Sequence, residues 1–245
     1  MKATELINEI RQYCRECSSE ELRIKYSRYF REGYDAYGMS QPQMDMKIRE
    51  LNKRSDVLLG IVMEAAPDLL RTGKYEETSF VLGLLSKKER EYTIETFRTL
   101  GGLFAIGIEN WAHADMLGMY IMPKFIKKGI VSPDDFREWI DSPFKYQRRT
   151  VPVTFIKTLD PSRGYHHLFD IIEPLMTDKE RVVHQGAGWF LREAWKKDAA
   201  QTEPFLFKYK ETGARLIFQY ATEKMTKEQK ERFRRSKKNS SNSTS

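Results

Sequence analysis

Trp111 and Asp115 stand four residues apart, so on a helix their side chains share a face. An indole and a carboxylate on one face suit a single task, the stabilisation of positive charge as it develops on a bound group. Arg149 follows Trp111 by 38 residues and Trp189 follows Arg149 by 40. If the chain stacks helix pairs of about 40 residues, all four side chains come from equivalent places in successive repeats and line one wall of one groove. The stretch from Trp111 to Ile121 is otherwise largely apolar. A carboxylate there must be paired, hydrogen-bonded or turned to a ligand, because burying it alone is very unfavourable. Two readings stay open. Asp115 is a structural ion-pair partner for a neighbouring helix, Arg149 included, or it is part of a working site. The two tryptophans divide in the same way, between packing and a ligand platform. Gly186-Ala187-Gly188 before Trp189 would admit the close approach of another backbone, from a helix or from a nucleic acid.

The elements that would hold these residues read as helices almost throughout. No Asn-Gly or Asp-Gly hairpin signal and no sustained two-residue alternation occurs. Helix starts recur instead: Ser18-Ser19 before Glu20-Glu21, Ser132-Pro133-Asp134-Asp135, Asp141-Ser142-Pro143, and Thr177-Asp178-Lys179-Glu180 as a capping box ahead of Trp189. Helices are expected near 3–17, 19–31, 42–54, 56–70, 75–85, 88–108, 111–127, 133–141, 144–158, 163–176, 179–196, 199–211, 213–223 and 226–237. Pro123 and Pro152 should kink or split their helices, since neither can donate a backbone hydrogen bond. Short connections make neighbours antiparallel. The fold class is therefore all-α, a HEAT/ARM-like helical-repeat solenoid with a concave groove. One domain spans 1–225, and 226–245 is a basic, partly disordered tail, with disorder expected from Arg235 to Ser245.

Composition excludes several classes. The net charge of +7 is concentrated in the tail: from Thr226 to Ser245 seven basic residues face two acidic ones, so the body carries only about +2. A nucleic-acid surface must come from how charge is distributed, not from its sum. No apolar run reaches the ~20 residues of a membrane span, and the N-terminus opens without a signal-peptide core. A cytoplasmic protein with no membrane partner is expected. Cys14 and Cys17 are the only cysteines. With no second C-x-x-C or H-x3-5-H they lack partners for a structural zinc site, and no metal or cofactor is expected.

Four stretches in order carry a family resemblance: Tyr26–Phe30 with Gly33-Tyr34-Asp35-Ala36-Tyr37-Gly38-Met39-Ser40-Gln41-Pro42, then Trp111-x-x-x-Asp115, Gln147-Arg148-Arg149-Thr150, and Gly188-Trp189-Phe190-Leu191-Arg192-Glu193. Over roughly Ser19 to Glu223 the chain resembles the AlkD-like DNA alkylation repair family of helical-repeat DNA glycosylases. The early turn departs from the pattern, lacking a basic residue near Ser40-Gln41, and His113 has no assigned place in it. The resemblance implies a monomeric glycosylase that excises cationic N3- and N7-alkylated purines from duplex DNA, gripping the backbone without a tight base-flipping pocket. It implies Asp115 as the catalytic carboxylate and Trp111 and Trp189 as aromatic walls at the lesion's sugar. Arg149, Arg148, Tyr26, Lys157 and Arg192 would contact DNA, with either arginine of the 148–149 pair facing the groove. Such a purine leaves without prior protonation, so a carboxylate suffices. About 4 Å from the sugar cation, at an effective dielectric near 20, it is worth roughly 4 kcal/mol, around a thousandfold in rate. Two other classes fit the same pattern: a helical-repeat module that binds DNA without excision, and a protein-binding scaffold.

Overall fold

The computed structural model describes residues 1–236, and no strand occurs among them. The helices are α1 (Ala3–Glu16), α2 (Glu20–Ser27), α3 (Gln41–Lys53), α4 (Leu59–Leu70), α5 (Tyr75–Leu85), α6 (Ile94–Gly102), α7 (Trp111–Met116), α8 (Met122–Lys127), α9 (Arg137–Ile140), α10 (Lys145–Ile156), α11 (His166–Ile172), α12 (Arg181–Lys197), α13 (Ala199–Lys208), α14 (Arg215–Ala221) and α15 (Lys227–Arg232). They form the expected all-α helical-repeat array. The inner row runs α5, α7, α10, α12, α14, each packed on the next. Aromatic rings pack within and behind this row: Phe155 of α10 lies 6.3 Å from Phe190 of α12 and 5.8 Å from Phe136, just ahead of α9, and Trp139 of α9 stacks on Phe97 of α6 at 5.3 Å.

Glycine sets how closely the inner helices approach. A Cβ on Gly188 would stand 2.6 Å from the Tyr220 Cβ and 2.8 Å from the Ile217 carbonyl oxygen of α14. A Cβ on Gly186 would stand 3.0 Å from the Arg149 side chain. The glycine run before Trp189 therefore serves helix–helix contact, bringing α12 against α10 and α14 together. Gly118, in the stretch that follows α7, does the same against α10, where a Cβ would meet Val153 at 2.7 Å.

The boundaries depart from expectation where local chemistry competes. The expected helix at 88–108 is three pieces: a 3-10 turn at Glu89–Glu91, α6, and a second 3-10 turn at Leu103–Ala105. Thr93 breaks the first junction because its hydroxyl accepts from Thr96 N and starts a new helix. The box at Thr177–Glu180 does not form: α12 starts at Arg181, and Asp178 instead accepts from Glu180 N and from Arg148. Pro123 does split its helix, and the junction is a π-helical stretch, Leu117–Ile121. Pro152 does not split α10, which runs through it continuously. Beyond residue 225 the chain lies against α13, with buried Phe233 stacked on Phe207 at 4.6 Å and Arg232 paired to Glu203 at 2.8 Å. The disorder expected from Arg235 falls, past Ser236, outside the described residues. Cys14 is buried in α1, where burial pushes its thiol well above the ordinary range. No helix among the described residues is long and apolar enough to cross a membrane.

Candidate functional site

Asn110 begins the local construction of the site. Its side chain caps α7 by accepting from His113 N at 3.0 Å, and its amide group lies 2.8 Å from His113 Nδ1. With Nδ1 receiving that amide, the imidazole carries its proton on Nε2, which donates to Tyr75 O at 3.1 Å and lies 3.0 Å from Ser79 Oγ. Burial pushes this histidine down to about 3, so it stays neutral. His113 is thus the peg that seats α7 on α5. Its function is to hold the helix that presents Trp111 and Asp115.

Asp115 meets Arg149 in a two-pronged ion pair: Nε to Oδ1 and Nη2 to Oδ2, both 2.8 Å. The arginine also donates from Nη1 to Val182 O at 2.7 Å. The side chains are 15% and 7% exposed. Burial raises the Asp115 carboxyl above its ordinary range, and the Arg149 guanidinium pulls it part of the way back. Each carboxylate oxygen keeps a lone-pair direction beyond the guanidinium. Of the adjacent arginines, Arg149 lines the groove. Arg148 turns into a separate pair with Asp178 at 2.7 Å and donates to Ser142 O at 2.7 Å.

Trp111 is 39% exposed, and its Nε1 donates to Tyr29 O at 3.2 Å. Together with Asp115, Arg149, Trp189 and Arg192 it lines a cavity of about 570 Å³. A second cavity of about 980 Å³ also reaches Trp111, Asp115 and Trp189, so the two are arms of one groove meeting at these residues. The arms differ in charge. The larger bears Lys87, Lys124, Lys127 and Lys157 against Asp45, apart from Asp115 itself. The smaller mixes Arg31, Arg181 and Arg192 with Glu32, Glu109 and Glu180. Among the described residues, Lys87, Lys127, Lys157, Arg31 and Arg181 are exposed and make no ion pair, whereas Arg192 is held by Glu193 at 3.0 Å and by Glu223. Tyr26 stands apart from the carboxylate, in an aromatic recess of about 340 Å³ that opens beside Trp111.

The structure thus brings Trp111, Asp115, Arg149 and Trp189 together, with Lys157 and Arg192 on opposite arms. Sequence reasoning missed Lys87 and Lys127, the Asn110–His113 seat, and the Tyr29–Glu32 segment over Trp111. Asn110 had a readable signal, a capping residue directly before an apolar periodic run. The lysines had none beyond their charge.

Among known proteins, the model of the family described as "DNA alkylation repair enzyme" matches residues 10–225. No curated protein matches. A solved structure, a predicted DNA alkylation repair enzyme from Enterococcus faecalis, superposes with a TM-score of 0.70 at 12% identity, covering 86% of this chain and 97% of that one. At that identity the likeness speaks for the fold.

Proposed function

The chain belongs to the DNA alkylation repair enzyme family, and from that premise we propose that it is a DNA glycosylase releasing cationic N3- and N7-alkylated purines from duplex DNA. The observation that carries this reading is the Asp115 carboxylate, fixed by Arg149 at the meeting point of the two arms and flanked by Trp111 and Trp189. In such a nucleotide the base already carries positive charge. When the bond from C1′ to the base nitrogen breaks, its electron pair neutralises the leaving purine and the charge moves to the sugar. Asp115 and the indole faces stabilise that oxocarbenium-like sugar. Water adds to C1′ and loses its proton, with Asp115 placed to orient it.

Arg149 serves this chemistry indirectly. A buried carboxylate tends to take up a proton, and the guanidinium keeps Asp115 ionised and aimed. The lysine arm suits the sugar–phosphate backbone, which is recognised by cations spaced along a groove.

A second reading has its own observation. The Asp115–Arg149 pair is internally complete, as it would be in a relative that binds DNA without excising a base. One experiment separates the two: single-turnover base release from a duplex carrying one N7-methylguanine or N3-methyladenine. Asp115→Asn is expected to slow release by about 10²–10³-fold with duplex affinity nearly unchanged. Release at the parental rate in that variant refutes the catalytic assignment, and no release by the parent protein favours the binding module.

A further inference from the structure

The segment between α2 and α3 touches the site from outside the repeat array. α2 itself contributes no buried residue, and neither does Tyr29–Glu32, while the chain further on is packed into the core at Ala36 and Met39. Yet Tyr29–Glu32 reaches both helices that carry the Asp115–Arg149 ion pair. Its Tyr29 carbonyl accepts the Trp111 Nε1–H at 3.2 Å, and the Phe30 ring stacks on Trp111 with centroids 5.6 Å apart and planes 19° apart. Glu32 accepts from Lys145 Nζ at 2.7 Å and from the Tyr146 hydroxyl at 3.0 Å, at the start of α10. Arg149 lies one turn further along that helix. Phe30 is itself held by Tyr34, stacked at 4.7 Å, and by Tyr75 at 5.3 Å. The far end of the segment is anchored by the buried Glu76 carboxylate, which receives the backbone N–H groups of Tyr37, Gly38 and Met39 at 2.9, 2.8 and 3.0 Å.

We propose that Tyr29–Glu32 is a positioning strap for the Trp111 indole, with Phe30 and Glu32 as positioning residues that act through Trp111 and not on the substrate. The physical need is plain. Trp111 is more than a third exposed, and an exposed indole samples several rotamers unless its ring is held. The strap fixes it at two points: the Tyr29 carbonyl sets the N–H edge and the Phe30 ring sets the plane. Glu32 then ties the strap to α10, so that the orientation of Trp111 is linked to the helix bearing Arg149. This inference rests on the glycosylase reading only for its consequence in catalysis. That the strap holds Trp111 is testable without DNA.

The experiment is nuclear magnetic resonance of the four indole N–H groups in the full chain, with Trp111 assigned by its loss in Trp111→Phe. Single-turnover base release and affinity for undamaged duplex are measured alongside. Glu32 is an exposed side chain, so Glu32→Gln folds. An exposed ion pair biases an equilibrium by up to about fivefold, and Glu32→Gln is expected to shift the Trp111 resonance and slow release about two- to fivefold. Phe30→Ala removes the stack as well. It should speed exchange of the Trp111 N–H and slow release about tenfold, with duplex affinity within twofold. The exchanged pair Glu32→Lys with Lys145→Glu restores the parental resonance. An unchanged Trp111 signal in both Glu32→Gln and Phe30→Ala overturns the strap. A freed indole with release at the parental rate overturns its positioning role. Absence of release in the parent protein sinks the glycosylase reading instead, and the indole signals then decide the strap alone.

Discussion

Replacing Arg149 by methionine separates the two roles that an arginine in this groove can have. The structure spends three of its donor nitrogens inside the protein, two on Asp115 at 2.8 Å and one on Val182 O at 2.7 Å. If it is a counter-ion, the variant leaves Asp115 buried and alone. With charge centres about 4 Å apart and an effective dielectric near 20, the lost attraction is about 4 kcal/mol. Losing it moves the carboxyl toward its protonated form. The sign comes from burial, which already raises Asp115 while Arg149 lowers it. Without the guanidinium only the raising influence remains. The acid limb of single-turnover base release should therefore move to higher pH, with release at neutral pH falling by no more than the ~10³-fold that this energy corresponds to and recovering as pH rises. Stability changes in the same sense. A carboxyl raised in the folded state favours folding while protonated and loses that contribution as pH rises through its folded value. Arg149→Met should thus lose more stability than the parent between the ordinary aspartate range and neutrality, read by thermal unfolding across pH. Base release would be followed from pH 5 to 9, and duplex affinity across a salt titration. An acid limb that stays in place, together with a salt slope smaller by about one contact, would refute the counter-ion account and make Arg149 a phosphate ligand.

Other parts of the molecule give two further outcomes. Gly188→Ala places a methyl group 2.6 Å from the Tyr220 Cβ and 2.8 Å from a backbone oxygen; overpacking of this kind costs about 1–3 kcal/mol and should appear as a lower unfolding midpoint. Lys127→Gln combined with Lys157→Gln should lower duplex affinity and reduce the slope of log affinity against log salt by up to about 1.8, if each lysine meets one phosphate; an unaltered slope would remove the larger arm from the DNA interface.

What was legible in the sequence divides by the range of the interactions involved. Spacings of 38 and 40 residues placed Trp111, Asp115, Arg149 and Trp189 on one wall, because one helix pair per repeat fixes both height and phase along the array. Caps written in neighbouring residues, such as Ser132 with Asp135, formed as read. Choices made by distant partners were not legible. Arg148 and Arg149 are adjacent and chemically identical, and only Asp178 and Asp115, about 30 residues away on opposite sides of α10, sort them. The Thr177–Glu180 capping box fails for a related reason, since Asp178, held by Arg148, accepts the Glu180 N–H instead. The strap was unreadable because its partners Trp111, Lys145 and Tyr146 lie 82 to 114 residues downstream. Of the readings left open for Asp115, the ion pair with Arg149 is present, and the pair also lines the groove.

The π-helical stretch at Leu117–Ile121 has a consequence for how the two halves of the groove are aligned. Each residue of an α-helix advances the chain by about 1.5 Å and turns it by about 100°. A π stretch spreads each turn over about one more residue, so it takes up a surplus residue while the helices on either side keep their alignment. Before it stand Trp111 and Asp115; after it come Lys124 and Lys127. Removing one residue there would restore regular winding and leave the carboxylate and both lysines close to their present bearing, changing only which side chains of the stretch itself turn inward. The bearing of Lys124 and Lys127 relative to the carboxylate thus withstands a residue of surplus chain, which the wider turn takes up.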